Sequence, residues 1–185
     1  RRAPDGQRLC FTGMSRGITD LYVYDLRDST VRRLTADAFA DLHPAWSPDG
    51  RWIAFTTDRF TARLGGFAAG QYRLALFDLT SDTIEALRGS AAGDDISPQG
   101  TSDSRTIYFV SNRTGIANVY RARIDGEGAV HFDRGMPGGQ ARAVLEDRDG
   151  NVWVGTERGL ARLRHADLST YTVADGLPDQ HVLSL

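Results

Sequence analysis

An all-β chain built from a repeated sheet is the fold this sequence predicts, and three observations predict it. The first is the stretch Pro44 to Phe55, PAWSPDGRWIAF, in which a short apolar piece enters Ser47-Pro48-Asp49-Gly50 and leaves through Trp52 to Phe55. Proline presets φ near about −65°, aspartate bonds its own backbone and glycine supplies the positive φ of a tight reversal, so the stretch reads as a β-hairpin. The second is recurrence. Turn aspartates at Asp5, Asp49, Asp103 and Asp149 step by 44, 54 and 46 residues, and the aromatics Phe11, Phe55, Phe109 and Trp153 step by 44, 54 and 44. The third is that apolar residues alternate with polar ones in short runs and never hold a helical period. A period of ~40–50 residues with four short strands each is the pattern of β-propeller blades.

Taken in order, Pro4-Asp5-Gly6 turns the chain into a strand at Arg8–Thr12, followed by strands at Asp20–Asp25 and Val31–Leu34. The second unit places strands at Ala45–Trp46, Trp52–Thr56, Tyr72–Leu79 and Thr83–Leu87, with Arg59–Gly70 as a Gly/Ala-rich surface loop. The third unit is eroded. Pro98 to Ser104 replaces the Trp, Pro and Gly of the turn, leaving its first hairpin in doubt, and strands resume at Thr106–Ser111, Asn118–Ile124 and Ala129–Phe132. The fourth unit reads Ala141–Glu146, the turn Asp147–Gly150, then Asn151–Thr156, Leu160–Arg164 and Thr170–Val173. The blades therefore run roughly over 1–35, 41–88, 95–133 and 140–174, forming one domain over 1–185.

A net charge of −2 and a pI near 6.1 argue against a nucleic-acid surface, which carries a basic face. All 22 basic residues are arginine. The single cysteine, Cys10, excludes an internal disulfide and reads as a small buried hydrophobe. No apolar run approaches the ~18 residues of a membrane helix, so no membrane insertion is expected, and no stretch of these residues reads as a signal peptide.

Two resemblances follow from these motifs. LYVYDLRDSTVRRLTADAFADLHPAWSPDGRWIAFTTDR and IYFVSNRTGIANVYRARIDG, within residues 1 to about 125, resemble TolB-type propeller repeats. GMPGGQARAVLEDRDGNVWVGTERGLARL and the partial copy YTVADGLPDQHVLSL, from about 129 onward, resemble two-component regulator propeller repeats. The first resemblance implies an envelope or periplasmic scaffold, the second the ectodomain of a sensor, often of glycans. Either implies a periplasmic or extracellular location.

The first unit lacks an innermost strand and the chain end supplies a spare. Overlaying Gly135-Met136-Pro137 on Gly176-Leu177-Pro178 sets Leu185 opposite Val144, and Arg1 continues the match. The sequence thus predicts four four-stranded antiparallel blades, closed by residues 181–185 pairing with the N-terminal blade; the alternative is a segment of a larger ring. A monomer, or self-association that completes a larger ring, follows from these two forms.

No G-x-S-x-G elbow, H-E-x-x-H or P-loop pattern occurs, so no catalytic residue and no enzyme activity is expected. Asp147-Arg148-Asp149-Gly150-Asn151 resembles the start of a calcium loop without its further ligands or terminal Glu, so no metal or cofactor is expected. The pairs Asp41/His43 and Asp179/His181, with Asp94, Asp95 and Gln140, lie in loops just before innermost strands, where a propeller channel opens. These seven are the candidate binding residues. The function they suggest is non-catalytic recognition of a protein, small molecule or glycan at one end of the channel. Two alternatives are the gating propeller of a prolyl-oligopeptidase-type peptidase without its hydrolase domain, and a chimeric propeller with no evolved ligand.

Overall fold

The computed structural model describes residues 1–65, 70–88, 93–124, 129–131, 140–164 and 167–183. Four antiparallel sheets follow one another along the chain. The first holds β1 (Arg8–Ser15), β2 (Ile18–Asp25) and β3 (Thr30–Arg33); the second β4 (Asp41–Trp46), β5 (Trp52–Thr57), β6 (Arg73–Asp78) and β7 (Thr83–Ala86). The third holds β8 (Asp95–Gly100), β9 (Thr106–Ser111), β10 (Asn118–Arg123) and β11 (Ala129–His131); the fourth β12 (Ala141–Glu146), β13 (Val152–Thr156), β14 (Gly159–Arg164) and β15 (Asp167–Tyr171). Each sheet is a meander in chain order, and the four make a β-propeller. The eroded third unit keeps its first hairpin. The last strand lies three residues earlier than its sequence suggests at its start, and Val173–Asp175 is instead a 3₁₀ turn capped by Thr172.

The turn chemistry that marks the repeat is formed in each blade. Gly50, Ser104, Gly150 and Gly6 donate their amides to the carbonyls of Ser47, Thr101, Asp147 and Ala3. Asp5, Asp49 and Asp103 accept the amide two residues on, at 2.8, 3.1 and 2.8 Å. Ser47 and Thr101 add a hydroxyl bond of 2.6 Å to the same aspartates. Ser104 holds φ 54° where the other blades have glycine. In the fourth blade Asp147 takes over, accepting from the amides of Asp149 and Asn151, the Asn151 side chain and Trp153 Nε1.

That last turn is one residue shorter, and the difference changes which side chains are buried. Ser47 bonds the carbonyl of Trp52, five residues on, whereas Asp147 bonds that of Asn151, four on. A one-residue slip sends every side chain of a strand to the other face. Val154, fully buried, therefore takes the place that Phe55 and Phe109 hold in their blades. Trp153, expected at that place from its spacing, points the other way. Its ring lies 5.9 Å from that of Tyr171, with the Arg162 guanidinium over both.

Blades pack face to face through three cores. Cys10, Leu21 and Val23 meet Ile53, Phe55, Ala75 and Phe77; Trp52, Ala54 and Leu74 meet Ile107, Phe109, Tyr120 and Ala122; Val110 and Val119 meet Val152, Val154, Ala161 and Leu163. Cys10 is one of these buried hydrophobes, and burial pushes its thiol up to about 11. Phe11 occupies the position of Phe55 and Phe109 yet is 39% exposed against 0 and 1%, because no blade covers that face of the first sheet among the described residues. It stacks on Tyr22 instead, at 5.5 Å.

The expected closure by the tail is not made by residues 181–183, and 184–185 lie outside the described residues. The inner edge of β1 is partly filled by the chain's own start: Arg2 bridges Leu9, and the amides of Cys10 and Ala3 bond Arg1 and Arg8 carbonyls. The tail turns to the fourth blade. Val182 donates its amide to Thr156 O and packs over Gly155, where any Cβ would lie 2.8 Å from its side chain. The first sheet so has three full strands rather than four.

The turn aspartates are expected to make the fold sensitive to acid. Hydrogen bonds from Trp153 and then Asn151 lower Asp147 to about 2; Asp103, though partial burial pushes it up, is held at about 2 by hydrogen bonds from Thr101, Arg105 and Thr106. A carboxyl depressed below its unfolded value of about 3.9 stabilises the fold above that pH and loses the contribution as pH falls toward 2. Urea unfolding followed from pH 6 downward is expected to show stability falling between about pH 4 and 2, with a shallower slope in Asp147→Asn and Asp103→Asn. Ser104→Gly relieves a left-handed backbone and is expected to stabilise the protein by about 1 kcal/mol in the same assay.

Candidate functional site at the channel mouth

Each inner strand carries one extra residue. The register shifts between Leu42 and Ala45 in β4, between Ile96 and Gln99 in β8, and between Ala141 and Ala143 in β12. A bulge kinks its strand and re-aims a side chain. Here the bulged residues His43, Ser97 and Arg142, with their neighbours Pro44, Pro98 and Ala143, line a cavity of about 410 Å³ at the centre of the four sheets. Arg1, Cys10 and Phe11 enter from the first blade and Leu183 from the tail. His43 and Ser97 hold φ of 50° and 53°, a left-handed backbone that side chains other than glycine rarely take.

Of the seven residues expected at the mouth, His43 reaches this cavity. The channel wall around its ring, and then the positive charge of Arg1, lower its pKa below the ordinary histidine value, although the residue keeps access to solvent. The other aspartates are used for construction. Asp41 is wholly buried and accepts both of its bonds to Arg59 from Nη2, at 3.0 and 2.8 Å. Burial raises its pKa against the opposing hydrogen bonds from Thr57, Arg59 and Thr35. Asp95 is bound in the same way by Arg113 Nη2 at 3.0 Å. Arg59 also faces the rings of Phe39 and Phe55, and Arg113 those of Phe109 and Tyr120.

Asp94 ties blades two and three together, accepting the Tyr72 amide at 2.9 Å while its own amide donates to Asn112 Oδ1 at 2.6 Å. Gln140 is exposed immediately before β12. Asp179 and His181 bond each other, ring Nδ1 to carboxylate at 2.9 Å, and the His181 amide lowers the Asp179 pKa. The two Asp/His pairs thus do not converge: His181 lines a separate cavity with Glu157, Arg158 and Thr172. Asp147, the first residue of the calcium-like turn, has both oxygens occupied by protein donors.

What spacing alone left out is the arginine that closes strand two. Thr57-Asp58-Arg59 and Ser111-Asn112-Arg113 stand 54 residues apart, as do Asp41 and Asp95, so the co-recurrence of an inner-strand Asp with this Arg was the available signal. The fourth blade keeps Arg158 after Thr156 but has Ala141 where the aspartate would be.

With that geometry in hand, the two-component regulator propeller family model matches residues 135–158, over the turn of the fourth blade. A protein TolB homolog of Chlorobium luteolum is 28% identical over 163 residues, covering 83% of this chain and 35% of its own. The chain carries TolB-like and two-component regulator propeller repeats. The crystal structure of TolB from Acinetobacter baumannii superposes with a TM-score of 0.75 at 18% identity, over 92% of this chain and 42% of that one. A puromycin hydrolase crystal structure superposes at 0.67 and 16% identity, over 98 and 28%. At these identities the solved structures speak for the fold. The chain spans about a third of the length of the curated relatives it matches, 34 and 35%.

The Asp–Arg pairs yield a sharp expectation. Removing one partner of a buried pair strands the other charge, a cost of about 3–5 kcal/mol. Arg59→Met is expected to lose that much in denaturant unfolding, and adding Asp41→Asn to recover part of it, since a neutral amide leaves no unpaired charge. Equal stability of Arg59→Met and the parent would contradict the assignment.

Proposed function

We propose that this propeller is a non-catalytic recognition module of the bacterial envelope that engages a protein partner at the mouth of its channel. The observation that carries this reading is the convergence of three inner-strand bulges on one cavity. Two of them hold non-glycine residues in a left-handed backbone, and strain of that kind clusters at sites of function. The aspartates around the mouth are tied into the sheets, so the walls are rigid and the bulged side chains are what a partner meets. The TolB-like repeats support an envelope location and a protein as the partner.

A photo-reactive residue at Ser97 tests the reading against one at Arg148, which lies in the turn at the far end of β12. In a periplasmic extract, adducts are expected from position 97 and not from 148, and His43→Trp, which fills the channel, is expected to suppress them. Adducts confined to position 148, unaffected by the filled channel, would overturn the proposal. Turnover of peptide substrates by the purified protein, abolished by a point substitution, would favour the peptidase-gating alternative.

A further inference from the structure

We propose, resting on the channel reading above, that the cavity recognises a carboxylate: its ligand is a short acidic peptide segment, held by Arg1 and Arg142 beside apolar walls. Among the described residues the cavity wall includes Arg1, Arg142, His43 and Ser97 as polar side chains and no acidic side chain. This is uncommon in a chain that carries 24 acidic residues against 22 arginines. The inner-strand aspartates nearest the mouth, Asp41 and Asp95, are fully buried and neutralised by Arg59 and Arg113, so their charge does not reach the channel. A cleft lined by one sign of charge focuses its field and concentrates the opposite sign.

Arg142 is set for this role by the bulge in β12, which turns it out of the buried run of Ala141, Ala143 and Val144. Its guanidinium rests on Glu157, and both side chains keep solvent access, 47 and 37%. An exposed pair of this kind is weak, so an incoming carboxylate can share or displace Glu157. A planar guanidinium takes a carboxylate through two parallel N–H···O bonds, which a lone ammonium does not. His43 adds its ring as a further hydrogen-bonding group in the wall. Phe11, Pro44, Pro98 and Leu183 supply apolar contact for one side chain of the segment. A volume of about 410 Å³ lies at the small-ligand end of binding sites, which suits a few residues and not a folded domain.

The test is calorimetric titration with a capped Asp-Leu-Glu peptide and its neutral counterpart Asn-Leu-Gln. The acidic peptide is expected to bind at least tenfold more tightly, and Arg142→Ser to weaken it about tenfold. Glu157→Gln, which removes the competing carboxylate, is expected to strengthen binding about threefold, and raising salt from about 0.05 to 0.5 M to weaken it. Both substituted residues are partly exposed, so the fold is retained and is checked by circular dichroism. Equal affinity for the two peptides, or an Arg142→Ser protein that binds like the parent, overturns the carboxylate assignment. No binding of either peptide, with photo-adducts at position 97 still suppressed by His43→Trp, overturns it too and leaves the channel reading standing. Loss of that suppression is the separate failure of the channel reading itself.

Discussion

Side-to-side packing of sheets is the constraint on which the rest of this structure depends. A four-stranded blade has two apolar faces and cannot bury both by itself, so each gains its stability from the blade beside it. The three cores are made by residues at equivalent strand positions: Phe55 against the first blade, Phe109 against the second, Val154 against the third. Burying a side chain of this size contributes about 1.5–3 kcal/mol relative to exposure. Phe11 shows the same position without its neighbour, and it remains 39% exposed. The fold is therefore propagated by contact from blade to blade, and its edges are where contact stops.

Packing of this kind leaves the strand ends free to vary, and two devices fix them. The inner hairpin of each blade is closed by a turn whose aspartate or serine bonds the local backbone. The channel side of blades two and three is closed by a buried Asp–Arg pair flanked by aromatic rings. Such a pair is a poor source of net stability, since two desolvated charges cost nearly what their attraction returns. Its effect is geometric. With Asp41 and Arg59 locked, the bulge at His43 has a fixed origin, and the same holds for Asp95, Arg113 and Ser97.

The repeat and its turns were legible in the sequence because each turn demands particular residues at particular φ: Asp49 and Gly50 state their geometry locally. The blade order was legible for the same reason. Three things were not. The turn at Asp147 spans one residue fewer than that at Ser47, and spacing between aromatics could not report it, because Trp153 satisfies the count while facing the wrong way. The roles of Asp41 and Asp95 were hidden because a carboxylate before an inner strand reads the same whether it faces a channel or an arginine 18 residues on. The path of the tail depended on which edge was open. Arg1–Ala3 had taken part of the β1 edge, and Gly155 offered Val182 a place without a Cβ in the way.

The channel gains its character by the same logic of what is already occupied. Acidic side chains recur at the mouth in the sequence, where they read as candidate binding residues. In the folded chain Asp41 and Asp95 have been drawn into the sheets by Arg59 and Arg113, Asp94 caps the backbone of Tyr72, and Asp179 bonds His181. Burial of Asp41 and Asp95 keeps those two carboxylates off the channel, while the bulges place His43 and Arg142 in its lining. Asp41 and Asp95, acidic residues read at the mouth, are thus part of the sheets and not of the channel lining. It follows from hydrogen-bond satisfaction: buried carboxylates must find donors, and in a chain whose only long cations are arginines, those donors are the guanidiniums that close strand two.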